Sequence, residues 1–301
     1  MAPAYLNLPA EKLRLLQQLS DRLRDVPNIA AIVLGGSYAQ GLAGPDSDLD
    51  MGLYYRAASP FSLEDIRSVA LSFSEPGTVP IVTGFYEWGR WVNGGAWIKT
   101  PEGKVDFLYK NLNQIEAVLE DGRCGIWSHD YDQQPPYGFR SIVYFAETRI
   151  CIPLHDPAGE IASLKASVFE YPPALKDRIV RDCLWGAEFT LLLGHNFAAA
   201  ADVYSSVGSM TRVAQFLMHA IFALNEQYFV NDKHAGRQVE TFPRQPREFS
   251  IRLARVLAAA GSEPAALLHS LEDLQELWQE TVQLTSGAYE ARYSTGAINR
   301  R

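Results

Sequence analysis

Leu13, Leu16, Leu19 and Leu23 recur every three to four residues along residues 11–26, the stripe of an amphipathic helix, and Pro9 just ahead suits its start. Residues 29–34 (Ile-Ala-Ala-Ile-Val-Leu) are apolar throughout and predict a short buried strand, cut off by Gly35-Gly36-Ser37. After a polar, glycine-rich stretch, residues 49–55 alternate as a second strand. Ser62, three residues ahead of Asp65, forms a capping box that opens a helix through about Phe73. Further strands are predicted over 81–86, 96–99 and 105–109, the last two joined by the turn Thr100-Pro101-Glu102-Gly103. A helix follows over 111–119, and residues 141–152 read as one more strand.

Beyond Glu170-Tyr171-Pro172-Pro173 the pattern changes. Helical periodicity dominates 174–201, 207–230, 246–260 and 263–284, with a polar, charge-rich loop at 231–245. The chain is therefore expected to be α+β over 1–170 and an all-helical bundle over 171–301, with residues 294–301 as a frayed tail.

The segment that carries chemistry runs from Leu34-Gly35-Gly36-Ser37 to Ser47-Asp48-Leu49-Asp50-Met51. Side chains on a strand alternate, so Asp48 and Asp50 share one face while Leu49 and Met51 turn to the core. Two such close carboxylates stay ionised together when a cation sits between them, and hard oxygen donors suit magnesium or manganese. Gly36 allows close approach of the backbone, and amides around Ser37 at a helix start can donate to phosphate oxygens. A third acid, Asp106, is flanked by Val105 and Phe107 and faces away from both. If its strand lies beside that of Asp50, the three carboxylates can hold two divalent ions.

The run Gly36-Ser37, ten residues, Asp48-Leu49-Asp50-Met51, and later Asp106 resembles the nucleotidyltransferase superfamily that includes DNA polymerase beta. Within it the layout is most similar to the small-molecule branch, the aminoglycoside and lincosamide nucleotidyltransferases. The resemblance covers roughly residues 28–165, including Ile152-Pro153-Leu154-His155-Asp156-Pro157, and extends loosely to Ala223-Leu224-Asn225-Glu226-Gln227-Tyr228-Phe229. It implies a mixed-sheet catalytic domain and metal-dependent transfer of a nucleoside monophosphate, AMP above all, from a triphosphate to a small acceptor. By the same resemblance, Gly35, Gly36, Ser37 and Ser47 hold the nucleotide, Asp48 and Asp50 hold two Mg2+ (or Mn2+) ions, and Asp106 helps to activate the acceptor hydroxyl.

Other residues leave alternatives open. Glu87, in an aromatic segment upstream of Asp106, is either a base or acceptor contact, or a hairpin-edge acid among core aromatics. Lys233, with Arg237, either meets the triphosphate or is part of a solvated cluster.

Composition narrows the partners. With 47% hydrophobic and 21% charged residues, 22 glycines and 17 prolines, neither wholesale disorder nor a collagen-like repeat fits. No run reaches the roughly 18 uninterrupted apolar residues of a membrane span, and Met1-Ala2-Pro3-Ala4 does not open a secretory signal. Cys124, Cys151 and Cys183 are scattered, without CxxC, and are expected to be buried thiols of a cytoplasmic protein. A net charge of −8 disfavours a non-specific grip on long nucleic acid. The competing expectations are transfer to a tRNA end or a protein side chain, as in toxin–antitoxin systems, and a nucleotide-binding module without turnover.

Overall fold

The computed structural model describes residues 8–44 and 46–293, so the tail at 294–301 lies outside the described residues. The chain divides into two compact units. One holds the described residues up to Asp121 together with Ser128–Glu170; the other holds Gly122–Trp127 and the described residues from Tyr171 onward.

The first unit opens with α1 (Ala10–Leu23), β1 (Ala31–Leu34), the short α2 (Gly36–Gln40), β2 (Leu49–Tyr55) and α3 (Leu63–Phe73). There follow β3 (Ile81–Val82), β4 (Gly95–Thr100), β5 (Gly103–Asn111) and α4 (Leu112–Arg123), whose last turn enters the second unit. The small ladder of β6 (His129–Asp130) and β7 (Phe139–Arg140), then α5 (Ile142–Ile150), β8 (Ile152–His155) and α6 (Glu160–Ser167) complete it. Six strands form one mixed sheet in the order β3-β4-β5-β2-β1-β8, and its one parallel pair is β2 with β5.

One face of that sheet is dry. Leu49, Met51 and Leu53 of β2 and Val105, Phe107 and Tyr109 of β5 are buried in one cluster with Leu15, Leu16, Leu19 and Leu23 of α1 and Ile66, Val69 and Ala70 of α3. The other face carries the alternate residues Asp50, Gly52 and Tyr54, and Asp106, Leu108 and Lys110. As the capping box predicts, α3 starts at Ser62, whose side chain accepts from the Asp65 amide.

Two strand expectations are corrected. Residues 141–152 form helix α5 and only then strand β8. Their β-branched and aromatic residues suggested a strand, but Ile142, Tyr144, Phe145, Ala146 and Thr148 are buried on a helix enclosed on most sides. Such enclosure erases the polar stripe by which a helix is recognised. The strand expected over 81–86 stops at Val82, because side chains take the amides that would extend it. The Glu87 carboxylate accepts from the Gly84 amide at 2.6 Å, the Asn93 side chain accepts from the Tyr86 amide at 2.8 Å, and Tyr86 has φ 61°. Of the three cysteines, Cys151 and Cys183 are buried as expected, while Cys124 is exposed.

The second unit is helical: α7 (Pro173–Ala199), α8 (Val203–Leu224), the one-turn α9 (Ala235–Val239) inside the expected loop, α10 (Phe249–Ala258) and α11 (Pro264–Gln283). Asp202 caps α8 by accepting from the Ser205 amide at 3.0 Å. Gly186 of α7 lets Phe216 of α8 approach; a Cβ there would stand 2.7 Å from the ring. Trp278 of α11 donates to the Leu184 carbonyl at 3.0 Å, and Trp127 of the inserted segment donates to Asp182 at 2.9 Å. Among the described residues α8 is long and apolar enough to cross a membrane, but 67% of that stretch is buried, as in a core helix.

Candidate active site

The site grows from the pairing of β2 with β5. Their parallel register sets Asp50 opposite Asp106, Gly52 opposite Leu108 and Tyr54 opposite Lys110. Neighbouring strands lie about 4.8 Å apart, and residues in register project from the same face. Two acids 56 positions apart in sequence thus stand side by side. Asp48, half-buried just before β2, joins them electrostatically. The Asp106 carboxyl is pushed up to about 6, first by burial, then by the charges of Asp50 and Asp48, against the opposing pull of Lys104.

The bend after β1 closes on the same point. Gly35 donates its amide to the Asp50 carbonyl at 2.8 Å. Gly36, at φ 58°, lies so close to Asp50 that a Cβ would fall 1.7 Å from Oδ2. Glycine is required there twice, for the left-handed backbone and for the space. Ser37 follows in the first turn of α2, half-buried. Ser47 serves its own loop, its hydroxyl accepting from the Gly44 amide at 2.9 Å and its carbonyl from Lys12 Nζ at 2.5 Å. Lys12, buried on α1 and 5.3 Å from the centre of the Tyr38 ring, thereby fixes the loop that delivers Asp48.

Behind Gly36 and Asp50 a small concavity runs between the sheet and α5. Its walls include Gly35, Gly52, Tyr54, Cys151 and the ion pair of Lys110 with Glu147, which meet at 2.6 Å. Burial pushes Tyr54 upward and Cys151 to about 11, so both stay protonated at neutral pH. The sequence reading missed Lys110 and Glu147. Alternation through 106, 108 and 110 puts Lys110 on the acid face, but Glu147 sits on the helix taken for a strand.

The fold brings Gly35, Gly36, Ser37, Asp50 and Asp106 together, with Asp48 beside them. The other two expected residues lie on different elements. Glu87 is exposed with its carboxylate engaged by the Gly84 amide, the role of a hairpin-edge acid. Lys233 belongs to the second unit, exposed in the turn that precedes α9.

Among the described residues no three His, Cys, Asp or Glu side chains are grouped closely enough to hold a metal by themselves. The donor set still fits magnesium chemistry. That ion binds through one or two carboxylates plus waters and substrate phosphates rather than an all-protein cage, and the mutual repulsion evident at Asp106 is what a cation relieves.

A family profile matches part of the first unit. Residues 14–93 match the family profile of the nucleotidyltransferase domain, a span that holds Gly36, Ser37, Asp48 and Asp50 and stops short of Asp106. A search of curated proteins finds no match. Among solved structures, a nucleotidyltransferase-like protein from Exiguobacterium sibiricum 255-15 is similar over 91% of this chain and 78% of its own, with a TM-score of 0.48 and 9% identity.

Proposed function

We propose that this protein moves a nucleoside monophosphate, AMP in the first instance, from a nucleoside triphosphate to a hydroxyl of a small acceptor, an aminoglycoside-like molecule among the candidates. The observation that carries the reading is the register of β2 with β5, which sets Asp50 against Asp106 opposite the Gly36 bend. Asp48, Asp50 and Asp106 are the residues to hold Mg2+ or Mn2+, in two sites. Bound there, divalent ions supply charge neutralisation on the triphosphate and lower the cost of the leaving pyrophosphate.

The chain's own residues do the rest by position. Gly35, Gly36 and Ser37 receive the phosphate chain at the bend, where the missing side chain at 36 leaves room beside Asp50. Asp106 takes the proton of the acceptor hydroxyl. The acceptor oxygen bonds to the α-phosphorus as the bond from that phosphorus to the oxygen bridging to the β-phosphate breaks. Pyrophosphate leaves with the electron pair of that bond. No covalent bond to the protein forms, so catalysis rests on alignment and electrostatics.

The test is mass spectrometry of an acceptor panel after incubation with the four triphosphates and Mg2+. An acceptor heavier by one nucleoside monophosphate, with pyrophosphate released in equal amount, is the expected result. Asp50→Asn should abolish it while leaving the circular dichroism unchanged. Turnover retained in that variant would refute the reading.

A further inference from the structure

The strands carry more than acids across the open face of the sheet. Asp50 pairs with Asp106, Asp106 with Trp97, and Trp97 with Ile81, so one register row crosses β2, β5, β4 and β3. Directly opposite residues share a face, and Gly36 abuts Asp50 at the inner end of the row. The row therefore reads, in space, glycine bend, acid, acid, indole, isoleucine. Its outer half is apolar yet open: Trp97 is 48% exposed and Ile81 54%.

Trp97 is also held still. Trp88 stacks on it, with ring centroids 4.8 Å apart and planes 24° from parallel. Gly95, two residues before Trp97 on the same face, makes this possible, since a Cβ there would lie 3.0 Å from the Trp88 ring and closer still to the Phe107 carbonyl. A fixed, open indole one strand from a carboxylate is a contact surface for a ring, and it tolerates positive charge on that ring.

We propose that Trp97, backed by Trp88, is the acceptor subsite, and that the acceptor lays a ring face on this indole while its ring-borne hydroxyl reaches Asp106. The inference rests on the transfer reaction above. In-line displacement puts the incoming oxygen and the leaving pyrophosphate on opposite sides of the phosphorus. With the phosphate chain at the Gly36 bend, the incoming oxygen enters from the β5 and β4 side, where Trp97 is the register partner of Asp106. The acceptor class is a small cyclic compound bearing a hydroxyl, with a protonated amine favoured by both the indole and the carboxylates.

The full chain is assayed with Mg2+ and α-labelled ATP against kanamycin, uridine and the acyclic alcohols glycerol and ethanolamine. Binding of kanamycin and uridine is measured in parallel by calorimetry with a non-hydrolysable ATP analogue. A cyclic probe should be labelled in preference to the acyclic ones. Trp97→Ala should raise its KM and Kd about tenfold while the KM for ATP stays within about twofold, and Trp97→Phe should restore most of the loss, as expected of one stacking contact. Equal binding by wild type and Trp97→Ala, equal labelling of acyclic alcohols, or no binding of either cyclic probe would overturn the subsite. So would a wild-type dimer that Trp97→Ala converts to monomer, since a second copy would then cover the row. Trp97-dependent binding with no labelled product keeps the subsite and overturns the transfer reaction alone.

Discussion

Gly36 has little freedom to change. Its backbone at φ 58° disfavours any other side chain, and the space a Cβ needs is filled by the Asp50 carboxylate. Gly36→Ala must therefore push Asp50 away from the register that sets it against Asp106. We expect at least about a hundredfold loss in kcat/KM for the triphosphate, the scale of a 1 Å displacement of reacting groups. Weaker Mn2+ binding by electron paramagnetic resonance should accompany it. Asp106 makes a separate prediction about stability. Its carboxyl stands at about 6 in the folded chain against 3.8 when unperturbed, so between those values the folded state holds the extra proton. Stability then falls as pH rises from about 4 to about 6 and stays lower above. In metal-free protein Asp106→Asn should raise the melting temperature by a few degrees at pH 8 and by little at pH 4; an equal gain at both would contradict the assignment. Gly36, Asp48 and Asp50 were legible in the sequence because they mark where apolar runs end or begin, and Asp106 because it stands alone between apolar neighbours within a strand. Trp97 and Lys12 were not, because what gives each its place is a partner that no motif marks: Asp106 across the β4–β5 hairpin for the one, the Ser47 carbonyl 35 residues on for the other.

At the scale of elements, strands with clean alternation and helices with a capping signal were readable: β2 over Leu49–Tyr55 and α3 behind Ser62 are where the pattern puts them. The reading failed at α5, where burial on most sides leaves no polar stripe, and at the end of β3, where Glu87 and Asn93 intercept the backbone amides. Helix α5 also shows how its end is held. Lys165 of α6 donates to the carbonyls of Thr148, Arg149 and Cys151, at 3.3, 2.7 and 2.6 Å, neutralising the last turn. Lys165→Met keeps the aliphatic stem and removes all three bonds. It should cost about 1.5–3 kcal/mol in urea unfolding, the range for hydrogen bonds to a charged group. A change within error would mean that water replaces the ammonium at no cost.

At the scale of the molecule, the α+β region followed by helices was visible from the change of periodicity near residue 171. The short insertion of Gly122–Trp127 into the second unit was not, since nothing local marks six residues as belonging to another core. It should have a measurable effect. A fragment of residues 171–301 lacks Trp127 and its bond to Asp182, so it should melt at a lower temperature than the same unit in the full chain. Adding a peptide that spans 122–127 should recover part of the difference, as a ligand of the folded state does. No recovery would show the insertion to be a bystander.

The mixed sheet carries a last implication. The ladder between β2 and β5 is direct, whereas β4 joins the sheet along the other border of β5 and β3 pairs with β4. The spacing of the two aspartates is therefore fixed by that ladder and not by the length of the largely exposed turn at 76–79 that joins α3 to β3, whereas α3 itself shares the core with both strands. Under the proposed reaction, the indole that would select the acceptor and the aspartates that would hold the metals lie on different strands, so Trp97 can be exchanged while Asp50 and Asp106 keep their register.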